Sequence, residues 1–262
     1  MSKGIARWFH RLNLLVVGPR LPNVNGVKKL ADEYPWPETK PDAPVSTWGW
    51  GMDGEELVRQ HLPRDAQVIV EIGTLLGSSA RFLADHCPDA HLFCVDPWFD
   101  VTDPADRPFL EHAPELTDFV TKQTDGIYQV FLASNWELRH RLTPLRGFSP
   151  DMLAPIHAHG IEVDAVYIDG SHVYEDVLAD VIATAMMFPA AMMCGDDWNW
   201  PGVQHALNYV AANRGREIIT SDNTWLLKQT GEDTRHSALS ARTVGPVEHS
   251  APVRVAKRLL QK

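Results

Sequence analysis

AVYIDGSHVYED, residues 165–176, and AAMMCGDDW, residues 190–198, decide the fold. Each is a short apolar run that stops at an acid: the first at Asp169, the second at Asp196 and Asp197. Runs of this length bounded by polar residues suit buried strands, and a helical pattern separates the two. Two such strands, one helix apart, bring their acids together at the carboxyl edge of a parallel sheet. Open α/β sheets bind ligands along that edge. Three hard oxygen donors converging there suit Mg²⁺, Mn²⁺ or Ca²⁺ better than zinc. The plainer account is that acids commonly end strands and cap helices.

Working outward, the punctuation stays regular. QVIVEIG (67–73) predicts a buried strand, SSARFLADHC (78–87) a helix, HLFCVD (91–96) a second strand and ELRHRLTPL (137–145) a third. Residues 164–169 form a fourth, a helix covers 173–188, and a fifth strand spans 190–194. A helix over 203–213 precedes EIITSD (217–222) and TWLLKQ (224–229), two strands joined near Asn223. Strand–helix alternation that ends in a strand pair means an α/β fold, a mostly parallel sheet with one antiparallel edge strand.

Three stretches fall outside this rhythm. Residues 4–16 draw as an amphipathic helix, and the stretch from Pro19 to Pro44 is polar and rich in proline, which disfavours a long helix or strand. In TWGWGMDGEELVRQHL a helix of about eight residues starts at Asp53 or Gly54 and ends before Pro63. Trp48 and Trp50 ahead of it either form a lid over a ligand or plug the core. Residues 100–126 are acidic and hang off the second strand at the ligand edge, an insertion read as covering substrate. The expected division is therefore residues 1–64 as helix, proline-rich segment and lid, 65–230 as the main domain, and 231–262 as a polar tail or arm.

The chain has a net charge of −10, unevenly spread. Residues 1–30 carry six Lys or Arg and no acid, so the middle of the chain is strongly acidic. Such a body repels nucleic acid. The basic ends suit a polyanion or membrane surface, solvated arms, or contacts in a homodimer. Cys87, Cys94 and Cys194 lack C-x-x-C spacing, which favours reduced thiols and a cytoplasmic setting. No apolar run is long enough to span a bilayer. The opening SKGIARWFHRLNLLVV has no small-residue cleavage site and is not expected to direct secretion.

VIVEIGTLLGSS (68–79) is strand, acid, glycine turn and helix start. Gly73 lets backbone come close to a ligand, and Gly77 lets the helix begin beside it. The turn lacks the central glycine of G-x-G-x-x-G, so a pyrophosphate has no cradle. The second strand ends in CVDPW, where Asp96 either accepts ribose hydroxyls or caps a turn before Pro97.

These residues resemble the first motif of class I S-adenosylmethionine-dependent methyltransferases, in its metal-dependent O-methyltransferase variant. IDGSHVYEDV followed by GDDWNWPGV sharpens the resemblance to the macrolide-sugar, aminocoumarin-sugar and polysaccharide O-methyltransferases, over about residues 65–229. The resemblance implies a Rossmann-like, seven-stranded sheet with helices on both faces, S-adenosylmethionine, a divalent metal (Mg²⁺, or Mn²⁺), and methylation of a sugar or glycoside hydroxyl. Carried over by position, Asp169, Asp196 and Asp197 become metal ligands and His172 the general base. Glu71, Gly73, Thr74, Gly77, Ser78, Asp96, Ser149 and Asp169 become cofactor residues; Ser149 is equally a plain helix N-cap. Trp198, Asn199 and Trp200, with Trp48 and Trp50, either contact an acceptor sugar or pack in the core.

The chemistry stands without the family. An aliphatic hydroxyl does not ionise at neutral pH; a bound cation lowers its pKa, and a histidine then takes the proton. Rival readings are a phenol or catechol O-methyltransferase, a metal-dependent nucleotide-sugar glycosyltransferase, and a cofactor-binding protein without catalysis. The glycosyltransferase leaves EIGTLLG ahead of CVDPW unexplained.

Overall fold

The computed structural model describes residues 23–49, 54–101, 103 and 108–229. The amphipathic stretch 4–16, Trp50 and the tail 231–262 lie outside them.

Seven strands form one sheet: β1 (Val68–Ile72), β2 (His91–Asp96), β3 (Leu142–Arg146), β4 (Ala165–Ile168), β5 (Met192–Gly195), β6 (Arg216–Ser221) and β7 (Thr224–Gln229). Their order is β3-β2-β1-β4-β5-β7-β6. β1 to β5 are parallel, and β7 runs against both β5 and β6. The strand of opposite direction therefore sits inside β6, which is the edge. β1 and β4 are buried throughout, as strands covered on both faces must be, whereas β6 is half-exposed.

Successive strands run outward from β1 to β3, and the chain then crosses back to lay β4 on the other side of β1. Helices leave opposite faces on either side of that reversal, so the loops after β1 and β4 part and open a crevice. Gly73 begins one loop and Asp169 the other.

One face of the sheet is covered by α2 (Glu55–His61), α3 (Ser78–His86), α4 (Pro114–Lys122) and α5 (Gly126–Ser134), through Val58, Leu83, Leu116 and Phe131. The other is covered by α1 (Val24–Glu33), α6 (Leu153–Ala158), α7 (Tyr174–Met187) and α8 (Pro201–Arg214), through Leu30, Ile156, Val181 and Leu207. Among the described residues no helix is long and apolar enough to cross a membrane.

Two expectations need correction, and the insertion acquires helices that the sequence left unassigned. The proline-rich segment holds a ten-residue helix, α1, because its prolines bracket that helix instead of interrupting it. Asn23 caps it, accepting the Gly26 N–H, and its side-chain amide ties to the carbonyls of His159 and Gly160 beside α6. The third strand starts at Leu142, five residues late, since its partner β2 offers no pairing before Leu92. Among the described residues of the insertion, Pro108–Glu111 form a 3-10 turn and Pro114–Lys122 the helix α4. Pro114 at the first position of α4 suits a helix start, and Leu116 and Val120, one turn apart, face the core.

Leu30 is fully buried although it precedes the first strand by nearly forty residues. Leu30→Ala is expected to cost about 2–5 kcal/mol of unfolding free energy, read from urea midpoints. A loss under about 1 kcal/mol would mean that α1 is dispensable to the core.

Candidate functional site

Parallel pairing places Cys94, Glu71, Tyr167 and Cys194 in one row across the sheet. Two residues further along each strand, on the same face, come Asp96, Gly73, Asp169 and Asp196. The candidate site occupies this second row, at the carboxyl edge.

At its centre is an open, shallow recess lined by Asp169, Gly170, Ser171, Asp196 and Asp197 together with Ile168, Val177, Val203 and Trp225. The structure thus brings together the three acids taken as metal ligands. Burial holds the Asp169 carboxyl well above the usual carboxylate range, and the charges of Asp196 and Asp197 push it further up. Asp169 also shares a hydrogen bond with Asp197, which raises it again. Among the described residues no group of three or more His, Cys, Asp or Glu side chains stands placed to hold a metal ion. The donor chemistry nevertheless fits one: crowded carboxylates that favour a shared proton are the set a hard divalent cation stabilises.

His172 lies on the loop after β4, ahead of α7, and its Nε2 is 2.5 Å from Asp197 Oδ2. The imidazole is stacked on the Trp200 ring, with centroids 4.4 Å apart and planes at 18°. Its loop packs tightly, since a Cβ at Gly202 would collide with the His172 carbonyl. Trp200 leaves half of its surface to solvent beside this pair, and Asn199 is exposed. Trp198 instead packs against the core of the α7–α8 face.

Residues unremarked in the sequence hold the acids in place. Thr224 is fully buried; its hydroxyl accepts the Gly54 N–H at 3.0 Å and lies 3.4 Å from Asp196 Oδ1. The Trp225 indole donates to the Asp196 carbonyl at 2.8 Å. Asn223 reaches Asp197 and the two residues after it. All three come from the β6–β7 hairpin, and only a polar pair at the mouth of an apolar strand hints at them.

The glycine turn after β1 is the second half of the site. Gly73 (φ +87°) and Gly77 (φ +80°) both adopt the left-handed backbone that glycine takes without strain. What crowds Gly73 is protein: a Cβ there would collide with the Asp169 carbonyl, across the β1–β4 parting. Asp96 accepts the Leu75 N–H at 2.9 Å and the Trp98 N–H at 2.7 Å, one on each oxygen. The Trp98 indole returns a hydrogen bond to the Leu75 carbonyl at 2.7 Å. Asp96 thus clamps the turn to the β2 exit. Trp98, buried against Phe131, was not singled out in the sequence. Asn135 pins the far end of the turn, donating to the Leu76 carbonyl at 3.0 Å.

The remaining candidates spread around this turn. Thr74 is buried, and Ser78 opens α3, where Gly49 lies against it. Trp48 packs into the core beside Phe109 and stacks on His112 of the insertion. Ser149 follows β3 with its hydroxyl buried and within the influence of Asp180 on α7; it caps no helix.

Glu71 is fully buried under the turn and accepts a hydrogen bond from the Ser79 hydroxyl. Burial raises its pKa to about 7, against the opposing effect of that bond. Its second oxygen and the buried Tyr167 hydroxyl, on the neighbouring strand, have no hydrogen-bond partner. Orphaned polar atoms beneath the glycine turn fit a ligand with polar groups, as S-adenosylmethionine has at its amino-acid and ribose ends.

Residues 70–198 match the family model described as Methyltransferase domain. No curated protein matches the chain. Among solved structures, the O-methyltransferase from Bacillus cereus in complex with SAH is similar over 82% of this chain and 94% of that one, at 14% identity and a TM-score of 0.47. Cofactor-bound Rv0187 from MTB aligns over 78% and 88%, at 16% identity and a TM-score of 0.48. CalS11, a TDP-rhamnose 3′-O-methyltransferase of calicheamicin biosynthesis, aligns over 67% and 76%, at 17% identity and a TM-score of 0.43. At these identities the likeness concerns fold alone. The chain has a Rossmann-like α/β fold, and residues 70–198 of it are similar to a methyltransferase domain.

Glu71 has an ordinary value of 4.5 and a folded value of about 7. Between these the unfolded chain releases a proton that the folded chain keeps, so folding loses up to about 3 kcal/mol as pH rises through that window. Glu71→Gln is expected to remove this loss. Its urea midpoint should match the parent's at about pH 4 and exceed it at about pH 8; parallel pH profiles would show that Glu71 ionises freely.

Proposed function

We propose that this chain is an S-adenosylmethionine-dependent O-methyltransferase that methylates a hydroxyl of a sugar or glycoside. In this reading a divalent cation, Mg²⁺ or Mn²⁺, is held by Asp169, Asp196 and Asp197, and His172 is the general base. The observation that carries it is the His172–Asp197 pair at the mouth of the acidic recess, beside the glycine turn.

When bound, S-adenosylmethionine supplies a methyl group already activated on a sulfonium, and the cation supplies positive charge that favours ionisation of a hydroxyl. The chain must then place the acceptor oxygen, take its proton and exclude water. Asp197 accepts the Nε2–H of His172, which leaves Nδ1 as the atom that receives the hydroxyl proton. Trp200 holds the ring plane from one side. The turn from Gly73 to Gly77 with Ser78, and the buried Glu71 and Tyr167, offer polar contacts to the amino-acid end of the cofactor. Asp96, at the β2 exit, is the carboxylate placed to accept hydroxyls of the ribose.

Support for a sugar acceptor comes from the surroundings of the His172 imidazole. The half-exposed Trp200 beside it provides an apolar ring face of the kind that packs against a sugar, with Asn199 at its rim.

The test is transfer of a labelled methyl group to a panel of glycosides, polysaccharides and catechols with Mg²⁺ present. Label should appear on a glycoside or glycan and vanish on chelation. Label confined to catechols, or undiminished by chelator, would overturn the acceptor or the metal assignment respectively. His172→Ala is expected to lower turnover by about 10²–10⁴-fold while S-adenosylhomocysteine affinity, measured by calorimetry, is retained. Near-native turnover would remove the histidine from the chemistry.

A further inference from the structure

The base pair of the site rests on an unusual backbone. Asp197 has φ +65°, a left-handed conformation that costs a non-glycine residue roughly 1–2 kcal/mol and persists where neighbours over-determine it. What over-determines it is a single residue from the β6–β7 hairpin. Asn223 accepts the Trp198 N–H on its backbone carbonyl at 2.8 Å. Its side-chain oxygen accepts the Asn199 N–H at 3.0 Å, and its side-chain nitrogen lies 3.4 Å from Asp197 Oδ1. Three consecutive residues are thus held from one point, and the Trp200 N–H closes the loop on the Asp197 carbonyl at 2.9 Å.

We infer that Asn223 is a positioning residue for methyl transfer: its side chain holds Asp197 in the left-handed conformation that turns Oδ2 toward His172. This inference rests on the reading of His172 as the base, but its geometry does not depend on the acceptor. The chain of contacts runs from Asn223 Nδ2 to Asp197 Oδ1, and from Asp197 Oδ2 to His172 Nε2. One oxygen is steadied while the other fixes the tautomer of the imidazole. The Asn223 backbone bond to Trp198 survives any substitution of the side chain, so the loop stays attached when the steering contacts are lost.

Two variants of the full chain separate steering from anchoring. Asn223→Ala removes both side-chain contacts. Asn223→Asp keeps an acceptor for the Asn199 N–H but presents a carboxylate, with no donor, to Asp197. Imidazole ¹⁵N spectra, with His172 assigned by difference against His172→Gln, report the tautomer whether or not an acceptor is in hand. The parent is expected to hold His172 with the proton on Nε2, and both variants to lose that preference. On a glycoside that accepts label, kcat should fall about tenfold in each while acceptor KM and S-adenosylhomocysteine affinity stay within about twofold. Unchanged His172 signals in Asn223→Ala would overturn the inference. So would parent-like behaviour of Asn223→Asp, which would leave Asn223 only an anchor, or a joint loss of kcat, cofactor affinity and melting temperature. Failure of methyl transfer with the tautomer shift present would count against the proposed function and leave the positioning role standing.

Discussion

The crossing of the chain from β3 back to the far side of β1 sets β4 against β1 and obliges the loops beyond them to part. At that parting the Asp169 carbonyl presses on Gly73 so closely that no side chain could stand there. This backbone contact couples the two halves of the site. It fixes the glycine turn on one side and the first of three acids on the other. The register of β4 and β5 then brings Asp196 level with Asp169.

Such an arrangement works against the stability of the folded chain. Asp169 resists ionisation because it is buried and faces two other carboxylates, and Glu71 resists it because it is buried beneath the turn. Asp197 adds a strained backbone. Local costs of this kind gather at functional sites, where a rigid frame holds groups that would separate if free. Here the frame is the sheet with two well-packed faces, together with the β6–β7 hairpin, whose Asn223, Thr224 and Trp225 reach the acids from the side. Among the described strands β7 runs against its neighbours, and it carries Thr224 and Trp225, with Asn223 in the turn before it.

The elements that could be read from the sequence are those whose signal is local. Apolar runs ending in acid or glycine located four of the five parallel strands, β1, β2, β4 and β5, to within two residues, because a strand buried on both faces must be apolar throughout. Where a boundary depends on a partner, the local signal fails: β3 begins where β2 allows it to pair, and nothing in ELRHRLTPL marks that point. The helices α1 and α4 were obscured by proline and acid content, since their amphipathic faces are short and the cores that cover them come from distant segments. The aromatic residues divide in the same way. An indole in a polar loop reads alike whether it meets core or solvent, and packing alone sent Trp48 and Trp198 toward the core and left Trp200 stacked on His172.

Sequence by itself determined the sheet class, the glycine turn and the identities of the acids and the histidine beside them. These follow from side-chain chemistry and from periodicities of a few residues. Tertiary structure alone decided which groups meet: that Asp197, and not Asp169 or Asp196, holds the imidazole, that Asp96 clamps the turn to Trp98, and that a hairpin turn steadies the acids. The reason is geometric. Asn223 lies 26 residues from Asp197 along the chain and within hydrogen-bonding distance only after β7 has paired with β5, so no pattern along the chain can announce their contact.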